Sequence, residues 1–309
     1  MDWFDYIDTE DSGRVLREAP LEALSLEELR PVAGSAGERA LVERVFRKYR
    51  TEGFPHVAVD AGQIRREFAA LCTTPSCLAG TTLRQSMIGL TTANAFHPEM
   101  LDVRCRGFKT PMEVFDSDDL FREAITKRIR FASNLKPWGI RKAVYSMRRT
   151  QRVSNFRPTA AKTVYTHFRP TLTVDFSAGW GGRMLGAMAA DTPYVGIDPS
   201  TVALDNNGKM LAAVTEAVGR DFQVELLHAC AEDVLGQGQW RPDLIFTSPP
   251  YFDTEKYSEE PTQSYLRHPS EDQWYRDFLG VCVEGAYRDL VPGGILVLNI
   301  GVDMESRVR

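Results

Sequence analysis

From Thr171 onward, short apolar runs alternate with helical stretches, and this alternation narrows the possible folds more than any other feature of the chain. TLTVDF (171–176), YVGID (194–198), VELLHA (224–229), DLIFTSPP (243–250) and GILVLNIG (294–301) read as strands. Between them Met184–Ala190, Thr201–Val218 and Asp272–Leu290 read as helices, the last with Trp274, Phe278, Val281 and Ala286 spaced for a buried face. Strands that are apolar on both faces, each followed by a helix, predict a parallel sheet covered on both sides. Pro249 and Pro250 must end the fourth strand, because neither can donate to a ladder.

Upstream the texture is helical. An acidic lead-in, residues 1–30, carries a short helix around Pro20–Arg30, and Leu41, Val42, Val45 and Phe46 give Ala36–Tyr49 an amphipathic stripe. Ala61–Leu71 reads as a further helix. Asp118 or Asp119 can cap a helix with Leu120, Ile125, Ile129 and Phe131 as its apolar positions. Basic helices follow at Ile140–Thr150 and from Pro158 or Thr159 to Phe168. The predicted domains are a mainly helical 1–135 and an α/β 136–309.

No apolar run approaches the roughly 18 residues of a membrane span, and MDWFDYIDTEDSG lacks the pattern of a signal peptide. A cytoplasmic protein is expected. The five cysteines are an odd, scattered number that suits reduced thiols, and no Cys or His pair near Cys72 and Cys77 completes a metal site. The net charge of -5 speaks against a polyanionic partner, but its distribution does not. Residues 121–170 hold thirteen Lys or Arg against the single acid Glu123, a zone able to hold a phosphate backbone. The plainer alternative is a solvated basic surface.

The first strand runs into Asp175-Phe176-Ser177-Ala178-Gly179-Trp180-Gly181-Gly182-Arg183. Glycines at a strand-to-helix turn let the backbone approach a ligand closely. Asp198, ending the second strand, can accept both hydroxyls of a ribose, as in nicotinamide and S-adenosylmethionine sites, or can cap the helix that follows. Glu232 and Asp233 follow the third strand, where one carboxylate can accept an adenine amino group; the sequence does not choose between them. Trp180 is either a core anchor or a cover for the cofactor.

Thr247-Ser248-Pro249-Pro250-Tyr251 ends the fourth strand, which is expected beside the first. The lone pair of a base amino group is delocalised into the ring. Acceptors at Ser248 Oγ and the Pro249 carbonyl can bind the amino hydrogens and draw the nitrogen toward tetrahedral geometry, with the two prolines fixing the carbonyl beforehand. Tyr251 can stack on the base, and Phe252 can form the opposite wall or pack beneath. A base held in this way must leave the duplex.

These features resemble the S-adenosylmethionine-dependent DNA amino-methyltransferases that make N4-methylcytosine or N6-methyladenine. DFSAGWGG (175–182) is similar to their cofactor loop D-P-F-x-G-S-G-T at Asp175, Gly179 and Gly181, which places Ser177, Ala178 and Gly182 in the same loop. TSPPY (247–251) matches their catalytic [D/N/S]-P-P-[Y/F/W]. NFRPTAAKTVY (155–165) resembles the segment that meets the methionine end of the cofactor, with Phe156, Arg157 and Thr159 its contributors. The resemblance covers roughly residues 150–301. It implies a Rossmann-like class I methyltransferase sheet, S-adenosyl-L-methionine as cofactor, DNA as partner, and a role in site-specific DNA modification of the restriction-modification kind, in a prokaryotic or viral host cell. Serine as the leading catalytic residue tilts the target slightly toward cytosine N4.

The chain departs from the family pattern after the fifth strand, where members carry a further strand hairpin. The expectation is either a sheet without that hairpin or one completed by a partner subunit or further segment. DNA contact then falls to the N-terminal part and its basic half, with Arg148, Arg149 and Arg152 as contacts. The acidic stretch FDTEKYSEEPTQSY (252–265) reads as a loop that orders on binding or touches the base through Lys256, Tyr257 and Tyr265. Methylation of an RNA base or of a glutamine amide uses the same device and remains an alternative. So does a non-catalytic DNA-binding subunit that keeps the fold, although intact glycines and Asp198 argue against it. A nicotinamide dehydrogenase has no use for TSPPY.

Overall fold

The computed structural model describes residues 20–76, 78–80, 82–83, 85–131 and 133–301. The acidic lead-in up to residue 19 and the stretch after Gly301 lie outside the described residues. The chain divides into two units that interleave in sequence: residues up to Val57 with Gly107–Arg152, and Ala58–Arg106 with the chain from Val153 onward. The boundary expected from the sequence lies at 135/136, whereas the units divide at 57/58, 106/107 and 152/153.

The second unit is a mixed α/β, broadly Rossmann-like fold. Its sheet has five strands: β1 (Thr173–Asp175), β2 (Tyr194–Asp198), β3 (Val224–His228), β4 (Leu244–Thr247) and β5 (Ile295–Leu298). Their order is β3-β2-β1-β4-β5, and every pairing is parallel. Because successive side chains point to opposite faces, Tyr194, Leu244 and Phe246 enter one core, with Ala161, Met184, Met188, Met210 and Val214 from the covering helices. Val174, Val195, Ile197 and Ile245 enter the other, with Trp274, Phe278, Cys282 and Ala286. The helix Ala61–Thr73 belongs to this unit, because its stripe Ile64, Phe68 and Leu71 joins the first of these cores. This order reverses direction between β1 and β4, and ligands of open α/β sheets bind at the strand ends beside such a switch point.

Several sequence expectations shift. The long helix expected over 272–290 is a turn (Glu271–Gln273), a π-helical stretch (Trp274–Gly280) and a helix (Val281–Asp289). The wider π turn changes the phase, so Cys282 and Ala286 are buried while Val281 is only half-buried. The acidic stretch is fastened rather than free. Glu255–Lys256 pairs antiparallel with Arg104–Cys105, Tyr265 Oη donates to the Ser258 carbonyl at 2.8 Å, and Thr262 Oγ1 donates to the Pro199 carbonyl at 3.0 Å.

In the first unit the helices Ala36–Glu52, Pro111–Asp116 and Asp118–Arg130 carry an aromatic cluster of Phe46, Tyr49, Phe115 and Phe121, with the Arg50 guanidinium about 5 Å from three of the rings. Ser117, not Asp118 or Asp119, caps the second helix by accepting from the Leu120 N–H. Phe121 and Ala124 face inward with Ile125 and Ile129, while Phe131 ends the helix 79% exposed. Pro137 opens the next helix at its first turn, and that helix stops at Tyr145 rather than near Thr150. The stretch 20–32 breaks into three short turns because Ser25 starts a new helix through a capping box with Glu28. Among the described residues no helix is long and apolar enough to cross a membrane.

Candidate functional site

A cavity of about 650 Å³ opens in the second unit at the carboxyl ends of the sheet strands. Its wall includes Phe156, Arg157, Ser177, Ala178, Gly179, Asp198, Glu232, Ser248, Pro250, Tyr251 and Tyr257. Segments remote in sequence therefore converge on one space, as the sheet order requires.

The glycine loop is tightly held. Gly179 has φ +55°; its N–H donates to Asp198 Oδ2 at 2.8 Å, and its carbonyl accepts from Asn207 Nδ2 at 2.8 Å. At Gly181, with φ +68°, a Cβ would run into Asn207 Oδ1 and the Met210 methyl; at Gly182 it would run into the Phe156 carbonyl. Neither Gly181 nor Gly182 lines the cavity; they let the 155–156 segment and the helix Thr201–Val218 close on the loop.

Asp175 does not face the cavity. It is fully buried, accepts from Arg183 Nε at 2.7 Å and from Tyr194 Oη at 2.7 Å, and so fixes the start of the loop from beneath. Arg183 also donates to the Ser177 carbonyl. Thr159 is likewise a strut: buried, it accepts from the Ser86 N–H at 2.9 Å and donates to the Ser86 carbonyl at 3.0 Å. That bond tethers a stretch whose neighbours Leu83 and Gln85 line the cavity, a contribution from residues 83–99 that the sequence reading missed.

Asp198 both lines the cavity and braces the loop, accepting from Gly179 N–H and from Ser200 N–H at 3.0 Å. It does not cap the helix Thr201–Val218; Ser200 Oγ does, accepting from Ala203 N–H. Burial pushes the Asp198 carboxyl above its usual range, against the pull of the two N–H groups. Of the two carboxylates after β3, Glu232 lines the cavity and is nearly buried, paired with Arg267 Nη1 at 2.5 Å. Asp233 lies off it, 55% exposed and bound to the same guanidinium at 3.0 Å.

At the end of β4, Ser248, Pro250 and Tyr251 line the cavity, while Pro249 is buried and does not. Phe252, at φ +47°, packs beneath against Trp274 rather than forming a wall. Lys256 is exposed, 5.8 Å from the Tyr265 ring. Tyr257 lines the cavity and meets Trp180 edge-on at 5.4 Å, so Trp180 is both wall and anchor. The Tyr257 phenol donates to Glu255 Oε2 at 2.6 Å; burial and that carboxylate push it well above its ordinary pKa.

Glu99, Glu255 and Asn299 also line the cavity and escaped the sequence reading. Glu99 accepts from Asn206 Nδ2 at 2.9 Å and meets His97 Nδ1 at 2.7 Å, and His97 Nε2 lies 3.1 Å from Asn207 Oδ1. A run of polar contacts thus reaches from the wall back to the glycine loop. Arg148, Arg149 and Arg152 are exposed residues of the first unit, with Arg152 4.9 Å from the Tyr145 ring. Among the described residues no cluster of His, Cys, Asp or Glu is arranged to hold a metal.

No protein-family model matches the chain, and no curated protein matches it.

Proposed function

We propose that the protein is a class I methyltransferase that carries a methyl group from S-adenosyl-L-methionine to the exocyclic amino nitrogen of a nucleic-acid base, most simply cytosine N4 or adenine N6 in DNA. The observation that carries this reading is the convergence of the glycine loop, Asp198 and Ser248–Tyr251 on one cavity at the switch point of the sheet.

The residues present fit that cofactor. The cavity volume falls within the roughly 300–1,000 Å³ of small-molecule pockets. Aromatic Phe156 and Phe246 offer apolar wall for a base, and the carboxylate of Asp198, at the end of β2, suits ribose hydroxyls. Glu232 is placed to accept an amino hydrogen on the side away from Arg267. Gly179 brings backbone close. When bound, the cofactor supplies an electrophilic methyl on a sulfonium. The chain's own part is to hold the target nitrogen: Ser248 Oγ accepts an amino hydrogen, the rigid Pro249–Pro250 backbone keeps a carbonyl in fixed direction, and the Tyr251 ring supports the base plane.

Asp198→Ala is expected to weaken cofactor binding about 10- to 100-fold, since hydrogen bonds to a charged group contribute about 1.5–3 kcal/mol. Titration calorimetry with S-adenosylmethionine measures it, and an unchanged affinity would move the ribose elsewhere.

A nucleic-acid partner is supported by the first unit's exposed Lys136, Lys142, Arg148, Arg149 and Arg152, which share a stretch with exposed Phe131 and Trp138. Rings among cations suit unstacked bases as well as phosphate. Replacing Arg148, Arg149 and Arg152 together by Ala is expected to flatten the slope of log affinity against log salt by about 2.7, at about 0.9 per lost phosphate contact. A filter-binding series in salt gives the slope; an unaltered one would place the phosphate track on other residues.

A further inference from the structure

We infer that Asn299 is a positioning residue that turns Ser248 into an acceptor-only group, so that the site takes a base carrying an amino substituent and rejects one carrying an oxo group. The inference rests on the amino-methyltransferase reading and deepens it.

Asn299 follows β5, and its N–H donates to the Thr247 carbonyl at 2.9 Å, which sets it against the end of β4. Its Nδ2 donates to Ser248 Oγ at 2.9 Å and reaches Tyr251 Oη at 3.5 Å. Its main-chain carbonyl lies 3.4 Å from Ser248 Oγ and 3.5 Å from Tyr251 Oη, as acceptor for both hydroxyls. All three side chains line the cavity.

The donor count gives this arrangement its meaning. A serine hydroxyl has one hydrogen and two lone pairs, and a primary amide nitrogen has two hydrogens. With its hydrogen turned to the Asn299 carbonyl and one lone pair taken by Asn299 Nδ2, Ser248 has a single lone pair left for a ligand. Pro249 and Pro250 carry no N–H at all. Ser248 Oγ and the two prolines after it therefore offer acceptors and no free donor hydrogen. An amino group satisfies them. An oxo group meets lone pair against lone pair and leaves its own acceptor unpaired, a mismatch that counts once the bound base shuts water away from the half-buried Ser248 and the exposed Asn299. A serine free to rotate would turn its proton toward an oxo group and lose the distinction.

The test uses the full chain with S-adenosylhomocysteine present. Two single-stranded oligonucleotides compete for it, identical except that the target base is amino in one and oxo in the other (cytosine against uracil, or adenine against hypoxanthine). Asn299→Ala is expected to lower the amino-over-oxo affinity ratio about tenfold and turnover about 10- to 100-fold, with cofactor affinity within about twofold. Asn299→Asp keeps the ratio: its carboxylate accepts the serine proton in place of the Nδ2 contact that Asn299 donates, and Ser248 again presents only lone pairs. In a Ser248→Ala background, Asn299→Ala changes the ratio no further, as expected of residues that act as a unit. A ratio unchanged by Asn299→Ala, or additive effects in the double variant, overturns the inference while wild-type methyl transfer leaves the broader reading standing. Absence of methyl transfer to any base by the wild type overturns both.

Discussion

Ser248→Ala is expected to cut methyl transfer about 10²- to 10³-fold, the usual loss on removing one preorganised group at the reacting centre. Cofactor affinity should stay within about twofold, because in the proposed reading Ser248 meets the target nitrogen, while the cofactor contacts are assigned to the other lining residues Gly179, Asp198 and Glu232. Tyr251→Ala should show the same split with a larger share in KM, since its ring supports the base rather than the nitrogen. Single-turnover transfer of a labelled methyl group, set beside equilibrium cofactor binding, separates the two effects. Full turnover by both variants would remove Ser248–Tyr251 from the chemistry.

The second large effect falls on stability. Asp175 and Arg183 form an ion pair at 2.7 Å with 0% and 6% of their side chains exposed, and Tyr194 Oη adds a third partner. Asp175→Ala leaves the phenol buried without its acceptor and the guanidinium charge without a carboxylate, holding only the Ser177 carbonyl, which should cost about 3–5 kcal/mol. Replacing the whole pair, Asp175→Ala with Arg183→Met, should recover much of that loss, because an apolar substitute for a complete buried pair is often nearly neutral. Urea midpoints of the three proteins decide it. A small loss in Asp175→Ala would mean that the loop is held mainly from the Gly179–Asp198–Asn207 side.

The Asp175 case illustrates what sequence can and cannot reveal. Its position at a strand end before a glycine loop marked it as important, and the residue is central; but whether a carboxylate points into the cavity or beneath it depends on Arg183 and Tyr194, eight and nineteen residues on. Thr159 presents the same ambiguity with Ser86. Tyr194–Asp198 and Thr201–Val218 were legible to the residue, because an unbroken apolar run and a capped, glycine-ended helix are local signals. The helix Ala61–Thr73 was legible as an amphipathic element, yet its partner was not, since a stripe says that something covers it and not what. The π-helical stretch at Trp274–Gly280 left no mark that a 3.6-residue period can detect.

Asn299, Glu255 and Glu99 were invisible for a different reason. Each is a single polar residue at the end of an element, without spacing or motif. Asn299 reaches Ser248 because Thr247 pairs with Leu298 in the parallel ladder, so the next residue on each strand emerges side by side. Glu255 reaches the wall because its strand pairs with Arg104–Cys105. Register of this kind is tertiary information. The acidic stretch around Glu255 read as a loop that orders on binding for the same reason, whereas Glu260 is already held within the fold: it accepts from Thr201 N–H at 3.1 Å and from Ser258 Oγ at 2.9 Å.

Transfer of a methyl group to an exocyclic base nitrogen is tested directly by one measurement. The protein is incubated with methyl-labelled S-adenosylmethionine and a mixture of DNA and RNA, and the digested nucleosides are resolved by mass spectrometry. Label is expected on an amino nitrogen, as N4-methylcytosine or N6-methyladenine in the DNA fraction, and reduced about 10²- to 10³-fold by Ser248→Ala. Label confined to RNA would keep the chemistry and change the polymer. Label on a ring carbon or ring nitrogen, or none on any nucleoside while the cofactor binds, would contradict it.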